Sequence, residues 1–426
     1  MCRTMRVTLA LVVIACLSGA IGLSSTAYAT TYYVSTSGND NNAGTSGSPF
    51  RTIQKGVDTA NAGDTIEVAA GTYREKVVFN TEDGGTPGAP VTLHGASGAI
   101  IDCSNPQSDN LTWTLQGGFN GGVYTAPLGY NTNCVFVNDR AYLEVDWATC
   151  SGGFSWSNMW WWERFFSYGM KNVSGYPDFE LWGAIPVGWD AVRSLAMVRL
   201  PENLLYVKCM PNGEGSTPLD ISQQTVRVSD YDANVIRING ANDIIIDGFR
   251  LKYGYDSIMI VDGSMGVEIK NCVIKPCFNG VWIEDGNGVS VHNCEIATDK
   301  MEDKSTKDRA DNIWHMNKSQ LLSTANQDKW GVFIRDRGVG GYRIYDNYIH
   351  DIGVGIAAGP NAHINHNRIQ QTYQDGIGMG SFQNLQVHHN LLDDVLQFGR
   401  IAAPKVGPAY IYNNIAIAGP ITQNGW

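Results

Sequence analysis

A repeat of about 22 residues dominates the second half of this chain. Strand-like segments begin at residues 244, 267, 289, 342, 363, 385 and 409, so successive starts differ by 23, 22, 53, 21, 22 and 24 residues. Each period alternates apolar and polar side chains between Gly or Asn turns and has no helical pattern. This pattern predicts a parallel β-helix, in which each coil lies about 4.8 Å above the last and equivalent residues stack in columns.

One predicted column is rich in asparagine. Its members are Phe249, Cys272, Cys294, Asn347, Asn367, Asn390 and Asn414. Stacked side-chain amides hydrogen-bond to one another along such a column. We interpret Cys272 and Cys294 as small buried residues of the column rather than as a redox pair. The 53-residue interval is one ordinary period plus a loop insertion at 297–328.

The N-terminal stretch supplies a second signature. Residues 32–75 predict a short helix after Pro49, with Ile53 and Val57 on one face, followed by the strand TIEVAAG. This stretch resembles the opening of secreted right-handed parallel β-helix proteins of the pectate-lyase-like superfamily, in which such a helix caps the coil. The resemblance implies an all-β fold: a right-handed single-stranded parallel β-helix with an N-terminal capping helix and an aromatic-rich insert. It also implies activity on polysaccharides.

These patterns divide the chain into four segments. Residues 1–29 read as a signal peptide, because Arg3 and Arg6 precede an apolar run that ends near the small residues AYA. Residues 30–103 hold the cap and the first coils, 104–235 an irregular insert, and 236–426 the repeats. We therefore expect a secreted protein. A lipid anchor on Cys16 is the alternative. The chain ends inside a repeat, which indicates either a fragment or a last coil that another segment covers.

The insert is aromatic-rich, with eight of the 12 tryptophans, and is similar to the segment before the main coils in carbohydrate-active β-helix enzymes. These rings either build a small core of their own or contact sugar. Removal of the signal peptide discards two of the nine cysteines. The odd number left means that at least one is unpaired, and spacing does not give the pairing.

Charge narrows the range of partners. The chain has 30 basic and 41 acidic residues, for a net charge of −11, and no segregated basic patch. A polyanionic nucleic acid would be repelled by such a surface, so we predict no nucleic-acid partner. The apolar run of the signal peptide does not count as a membrane span. We expect a monomer that binds a polysaccharide substrate.

The strand NGVWIEDG at 279–286 predicts a candidate trough. Alternation places Val281 and Ile283 inside the coil and Gly280, Trp282 and Glu284 outside it. Two outer columns result. One column contains Met259, Trp282, Phe333, Ala357 and Gly378, and the other contains Val261, Glu284, Arg335, Gly359 and Gly380. We predict that Trp282 and Phe333 bind sugar rings, which pack their apolar faces on aromatic side chains.

The next column is acidic, with Asp262, Asp285 and Asp336 at successive strand ends. Repeated Asx turns account for such residues beside glycine. Carboxylates one coil apart also repel each other unless a cation, a counter-charge or a proton intervenes. A hard cation such as Ca²⁺ takes oxygen ligands of this kind, so we predict these three residues as candidate Ca²⁺ ligands.

Three functions fit the trough. In a lyase, Ca²⁺ would neutralise a uronate carboxylate, and Lys329, Arg335 or Arg337 would abstract the neighbouring proton. In a glycoside hydrolase, Glu284 would be the acid and Asp285 or Asp336 the nucleophile or base. In a non-catalytic glycan-binding or adhesion protein, the same trough would hold sugar without cleaving it. His350, near the base of the insertion, is a further candidate for proton transfer. We place the lyase first.

Overall fold

A computed structural model describes residues 29–115, 123–130, 132, 134–144, 194–199, 204–209, 220–231, 233–298, 330–335, 340–379, 383–399 and 407–418. Within these ranges the chain winds into coils whose strands form three parallel sheets, which we call sheets A, B and C. Each full coil contributes one strand to each sheet in the order A, C, B. The predicted all-β parallel β-helix is therefore confirmed.

The strand bounds agree with the predicted period. Sheet A consists of Thr31–Val34, Thr65–Val68, Val91–Gly95, Ile244–Asp247, Glu268–Lys270, Ser290–His292, Arg343–Tyr345, His363–Asn365, Leu385–His388 and Ala409–Tyr412. Sheet C consists of Gly71–Tyr73, Ala99–Asp102, Arg250–Lys252, Val273–Ile274, Glu295–Ala297, Tyr348–Ile352, Arg368–Asp375, Leu391–Gln397 and Ile415–Ala418. Sheet B consists of Val77–Phe79, Asn234–Asn239, Asp256–Val261, Asn279–Ile283, Trp330–Ile334, Val354–Ala358 and Ile377–Met379. A short parallel pair, Ser264–Met265 and Gly286–Asn287, lies beside them.

Inward-facing aliphatic columns fill the coil. In sheet B, the paired residues Ile258, Val281 and Val332 are all fully buried. Burial of one such side chain contributes about 1.5–3 kcal/mol, and adjacent coils cover each other's columns. The helix predicted after Pro49 is present as Ile53–Val57, and Ile53 and Val57 are buried against the first strands.

The asparagine column forms a continuous hydrogen-bonded ladder. The side-chain amide of Asn347 donates to Asn367 Oδ1 (3.0 Å), Asn367 donates to Asn390 Oδ1 (3.0 Å), and Asn390 donates to Asn414 Oδ1 (2.9 Å). Below it, Cys294 is buried, as is Cys272 in the coil beneath. The ladder fixes the register of successive coils, because each amide can pair in only one alignment.

One predicted orientation is wrong. Gly280 does not face outward with Trp282: it is buried at the bend from sheet C into sheet B, in line with Gly331, Gly355 and Gly376. A Cβ atom on Gly280 would overlap the carbonyl oxygen of Gly331 and the side chain of Ile296. The bend interrupts strand alternation, so simple period-2 counting from Trp282 fails there.

The insert forms a separate sheet. Its strands are Thr114–Leu115, Val123–Pro127, Cys134–Val137, Arg140–Glu144, Ser194–Arg199, Leu204–Cys209 and Val226–Ser229. They are mostly antiparallel and enclose a small core of their own, which includes Val135, Leu205 and Val228. Short 3₁₀ helices occur at Thr81–Asp83, Pro106–Asn110 and Ile221–Gln223. Apart from Trp113, the tryptophans of the insert lie outside the described residues.

An aromatic contact joins the insert to the coil. Phe136 of the insert packs against Tyr253, with ring centroids 5.1 Å apart, and against Phe278 at 5.5 Å. All three rings are buried, so the contact fixes this part of the insert against the coil at the start of sheet B.

The coils continue in register on both sides of the 297–328 insertion. Ser290–His292 pairs with Arg343–Tyr345, Glu295–Ala297 with Tyr348–Ile352, and Asn279–Ile283 with Trp330–Ile334. One strand pair in each of the three sheets therefore joins the chain before the insertion to the chain after it.

Among the residues described, no helix has the length and apolar character needed to cross a membrane. The predicted signal peptide and most of the 297–328 insertion lie outside the described ranges.

Candidate functional site

The outer face of sheet B carries the residues of the predicted trough. The register pairs Met259 with Trp282, Trp282 with Phe333, and Phe333 with Ala357, which in turn pairs with Gly378. These side chains form one row because parallel strands in register stack equivalent positions. The row therefore changes from large side chains to a floor of small ones within two coils.

The two rings of the trough stack on each other. The ring centroids of Trp282 and Phe333 lie 4.0 Å apart with planes 21° from parallel, and Trp330 packs edge-on against Phe333 at 4.9 Å. Both residues of the stacked pair are partly buried. One face of the Trp282 ring is therefore covered by Phe333, and one face of the Phe333 ring by Trp282. The next residue in the row after Phe333 is Ala357, whose side chain is a single methyl group.

An ion pair flanks the stacked rings. Arg335 Nη1 lies 2.6 and 2.8 Å from the two carboxylate oxygens of Glu284, and Trp282 Nε1 donates to Glu284 Oε2 at 3.0 Å. The Glu284 side chain is 17% exposed, whereas that of Arg335 is 46% exposed. Glu284 therefore acts here as an acceptor that orients a guanidinium and an indole. The planar guanidinium of Arg335 can present further N–H donors to a ligand.

The predicted acidic column is partly described. Asp262 and Asp285 occupy equivalent positions in adjacent coils, and Gly263 N–H donates to the Asp285 carbonyl oxygen (2.8 Å). Asp262 is exposed and has a left-handed backbone conformation (φ 56°). Asp336 lies outside the described residues. In the part of the chain that the structure describes, no three His, Cys, Asp or Glu side chains are placed to hold a metal ion.

His350 lies on sheet C, a different sheet from the trough. It pairs with Ala297, at the base of the insertion. Its Nδ1 lies 2.6 Å from Asp351 Oδ2 and its Nε2 lies 3.2 Å from Glu295 Oε1, and the ring is 13% exposed. Lys275 also contacts Glu295. His350 therefore lies within hydrogen-bonding distance of two carboxylates on sheet C and is not grouped with Glu284 and Arg335. Its predicted role in proton transfer stays a prediction.

Partial burial of Glu295 would raise the pKa of its carboxyl group. The hydrogen bonds and charges of Lys275 and His350 outweigh this effect and hold the pKa of Glu295 below its usual value.

The remaining predicted catalytic residues, Lys329 and Arg337, lie outside the described ranges. Lys329 directly precedes the strand that begins at Trp330, and Arg337 is two positions after Arg335. The roles predicted for both residues stay predictions.

The structure adds two residues that the sequence analysis did not select, Trp330 and Arg237. Arg237 pairs with Met259 in the trough row, two coils before Trp282. Arg237 lies in the segment NVIRIN at 234–239, which precedes the repeats that start at 244 and crosses the predicted boundary between the insert and the repeats. An alternating segment ten residues before the first recognised repeat was the available signal.

Comparison with known proteins supports the fold. Residues 234–415 match the family model described as a right handed beta helix region, and residues 36–80 match a family of unknown function, DUF1565. A 117-residue segment, 28% of this chain, is 42% identical to the uncharacterized protein YwoF of Bacillus subtilis, over 21% of that protein. A 72-residue segment, 16% of this chain, is 42% identical to the pectate lyase PEL9 of Emericella nidulans, over 18% of that protein.

The matched segments span about a fifth of the length of these curated relatives. A solved structure of XylC in complex with xylose is similar over 90% of this chain and 62% of that chain, with 17% identity and a TM-score of 0.49. The family match at 234–415 coincides with the coils that carry the trough. The chain thus has the parallel β-helix fold that its resemblance to the pectate-lyase-like superfamily implied, and its residues 234–415 match the family model of right handed beta helix regions.

Proposed function

We propose that this protein is a secreted enzyme that cleaves an acidic polysaccharide by β-elimination. The observation that carries the proposal is the trough of sheet B, where the stacked rings of Trp282 and Phe333 lie beside the exposed guanidinium of Arg335 and a floor of small residues. Aromatic faces bind the apolar faces of pyranose rings, and a guanidinium binds a carboxylate through two parallel hydrogen bonds. The partial relative PEL9, itself a pectate lyase, agrees with this class.

The residues of the trough have separable tasks in this proposal. Phe333 supports one sugar ring over Ala357, while Arg335 donates hydrogen bonds to the carboxylate of the same or the adjacent uronate. These hydrogen bonds stabilise the negative charge that develops on the carboxylate when the neighbouring proton is removed. Because Arg335 already donates to Glu284, we assign it the role of hydrogen-bond donor and not that of the base. Lys329 and Arg337 are our candidates for the base.

Ca²⁺ is a further part of the proposal, with Asp262, Asp285 and Asp336 as ligands. What supports this part of the proposal is that Asp262 and Asp285 occupy equivalent positions in adjacent coils and that Ca²⁺ prefers carboxylate oxygens as ligands. A bound Ca²⁺ would add positive charge beside the uronate. The steps assigned above to Phe333 and Arg335 do not require the ion.

The test uses the full chain with a panel of polyuronates. We expect a rise in ultraviolet absorbance from unsaturated product ends, and a loss of activity after EDTA treatment that added Ca²⁺ restores. The variant Phe333→Ala should reduce activity at least tenfold through weaker substrate binding, whereas Tyr345→Ala, which removes a ring from the outer face of sheet A, should not.

Other outcomes would point to the other two functions. New reducing ends without the absorbance change would identify a hydrolase. Binding without either product would identify a glycan-binding protein. Full activity after EDTA treatment would remove Ca²⁺ from the proposal but leave the elimination reaction in place.

A further inference from the structure

The trough contains a second guanidinium whose environment differs from that of Arg335. Arg237 lies in the same outer row as Met259 and Trp282. Two coils separate it from Trp282, which is about 10 Å along the helix axis. Arg237 is partly exposed.

Neutral groups hold the Arg237 side chain in place. Its Nε donates to Asn239 Oδ1 (2.7 Å), and its Nη1 donates to Asn234 Oδ1 (3.1 Å) and contacts Met259 Sδ at 3.0 Å. Both amides come from the same strand, Asn234–Asn239. The guanidinium is therefore oriented before any ligand arrives, so binding costs less side-chain entropy than for a mobile arginine.

The positive charge of Arg335 is balanced by a carboxylate, and the environment of Arg237 differs in this respect. Glu284 pairs with Arg335, so that pair has no net charge. Within the ranges that the structure describes, no carboxylate forms an ion pair with Arg237. Asp256, at the neighbouring corner of sheet B, is buried and accepts from Asn279. An oriented arginine without a carboxylate partner attracts an anionic ligand more strongly than a neutralised one.

We propose that Arg237 forms an anion-binding subsite of the trough that takes the carboxylate of a uronate unit two to three sugars away from the unit held at Phe333 and Arg335. The inference rests on the proposed function, because it assumes a polysaccharide in the trough. The Arg237 subsite adds a property that stacking on Trp282 and Phe333 does not provide. Substrate recognition would extend along several coils and would select acidic polysaccharides at a distance from the bond that is cleaved.

The experiment compares two ligands and three variants by isothermal titration calorimetry. The ligands are oligomers of polygalacturonate and the same oligomers as methyl esters, which have the same backbone without the charge. Arg237→Gln removes the cation, and Arg237→Lys keeps the charge but loses the planar fork. Arg343→Gln is the matched control, because it removes an exposed arginine from the outer face of sheet A.

We expect Arg237→Gln to weaken binding of the acidic oligomer at least tenfold and of the ester less than twofold. Arg237→Lys should lie between the wild type and Arg237→Gln, and Arg343→Gln should match the wild type. The affinity of the wild type for the acidic oligomer should fall with added salt, and that of Arg237→Gln should fall less steeply. Shortening the oligomer below three units should abolish the difference between wild type and Arg237→Gln.

Three results would overturn the assignment. Unchanged binding of the acidic oligomer by Arg237→Gln would show that another group recognises the charge. Equal weakening for both ligands would show that Arg237 only supports the shape of the trough. Equal affinity of the wild type for acid and ester would show that the trough takes sugar without reading its charge. If the wild type binds neither ligand nor any other polyuronate, the proposed function fails as well.

Discussion

Single residues set the close approach of neighbouring coils at the bend into sheet B. Gly331 lies between Gly280 and Gly355 in the buried glycine column. A Cβ atom there would overlap the Gly355 carbonyl oxygen and lie 2.6 Å from Ile349 Cγ2. Neither atom is the free end of a flexible chain, so the coil must shift to accept any side chain.

We therefore expect Gly331→Ala to lower the free energy of unfolding by about 1–3 kcal/mol, the usual effect of overpacking a rigid interior. Denaturant unfolding followed by circular dichroism measures this change. Gly47→Ala is the control, because Gly47 is exposed and its added methyl group would meet nothing within 4 Å. Equal stability of Gly331→Ala and the wild type would show that the bend is less tightly packed than described.

Glu295 predicts a pH dependence of stability. Its carboxyl pKa is lower in the folded protein than the usual value, so the folded state favours the ionised form. The resulting stabilisation is complete above the usual carboxyl pKa, and it is lost as the pH falls through the lower folded value. Glu295 is about one-third exposed, so we expect a contribution below about 1 kcal/mol.

The measurement compares wild type with Glu295→Gln in urea between pH 6 and pH 3. Their difference in unfolding free energy should be largest at pH 6 and should shrink as the pH falls. Other carboxylates affect both proteins equally and cancel. Glu82→Gln, at an exposed position, should show a difference near zero at every pH. A wild-type advantage that grows on acidification would contradict the sign of the pKa shift.

At the scale of elements, the asparagine ladder joins four coils, and three of its four side chains are buried. Asn367 is 1% exposed, and its amide group donates to the carbonyl oxygen of Ile344 (2.8 Å) and to Asn390 Oδ1 (3.0 Å). Its own Oδ1 accepts from both nitrogens of Asn347. Replacement by an apolar side chain would leave several of these groups buried without a partner, at about 1–3 kcal/mol each.

Asn367→Ala should therefore unfold at a clearly lower denaturant concentration, with a loss of at least about 2 kcal/mol. Gln386→Ala, on the outer face of sheet A, should change stability by less than about 0.5 kcal/mol. If both variants behave alike, the ladder contributes no more than an exposed polar side chain.

The strands and stacked columns could be predicted from the sequence where the repeat period alone determines them. The recurrence of alternating strand-like segments indicated the coil spacing, and the asparagine column and the pairing of Trp282 with Phe333 are confirmed. Gly280 was placed wrongly because alternation assumes a straight strand, whereas the chain bends there. The mutual stacking of the two rings and the location of His350 on sheet C depend on how sheets meet, which a repeat does not specify. Arg237 was missed because its coil was counted partly with the insert.

At the scale of the whole molecule, the trough is a property of stacking and not of any one coil. Met259, Trp282, Phe333 and Ala357 come from four strands that the backbone pairing of sheet B holds in register. The variants Gly331→Ala and Asn367→Ala alter the packing of the coils without removing a side chain that is proposed to contact sugar. Lost binding in these variants would reflect altered register, and lost binding in Phe333→Ala would reflect a lost contact.

The strand pairs that bridge the 297–328 insertion have a wider consequence. One pair in each of sheets A, B and C connects the coils on either side of the insertion, so the scaffold does not depend on that one covalent link. Proteolytic cleavage within the insertion would leave two fragments that remain hydrogen-bonded to each other in all three sheets. During evolution, the same position could accept insertions of different length and sequence, so substrate specificity could diverge while the β-helix scaffold stayed the same.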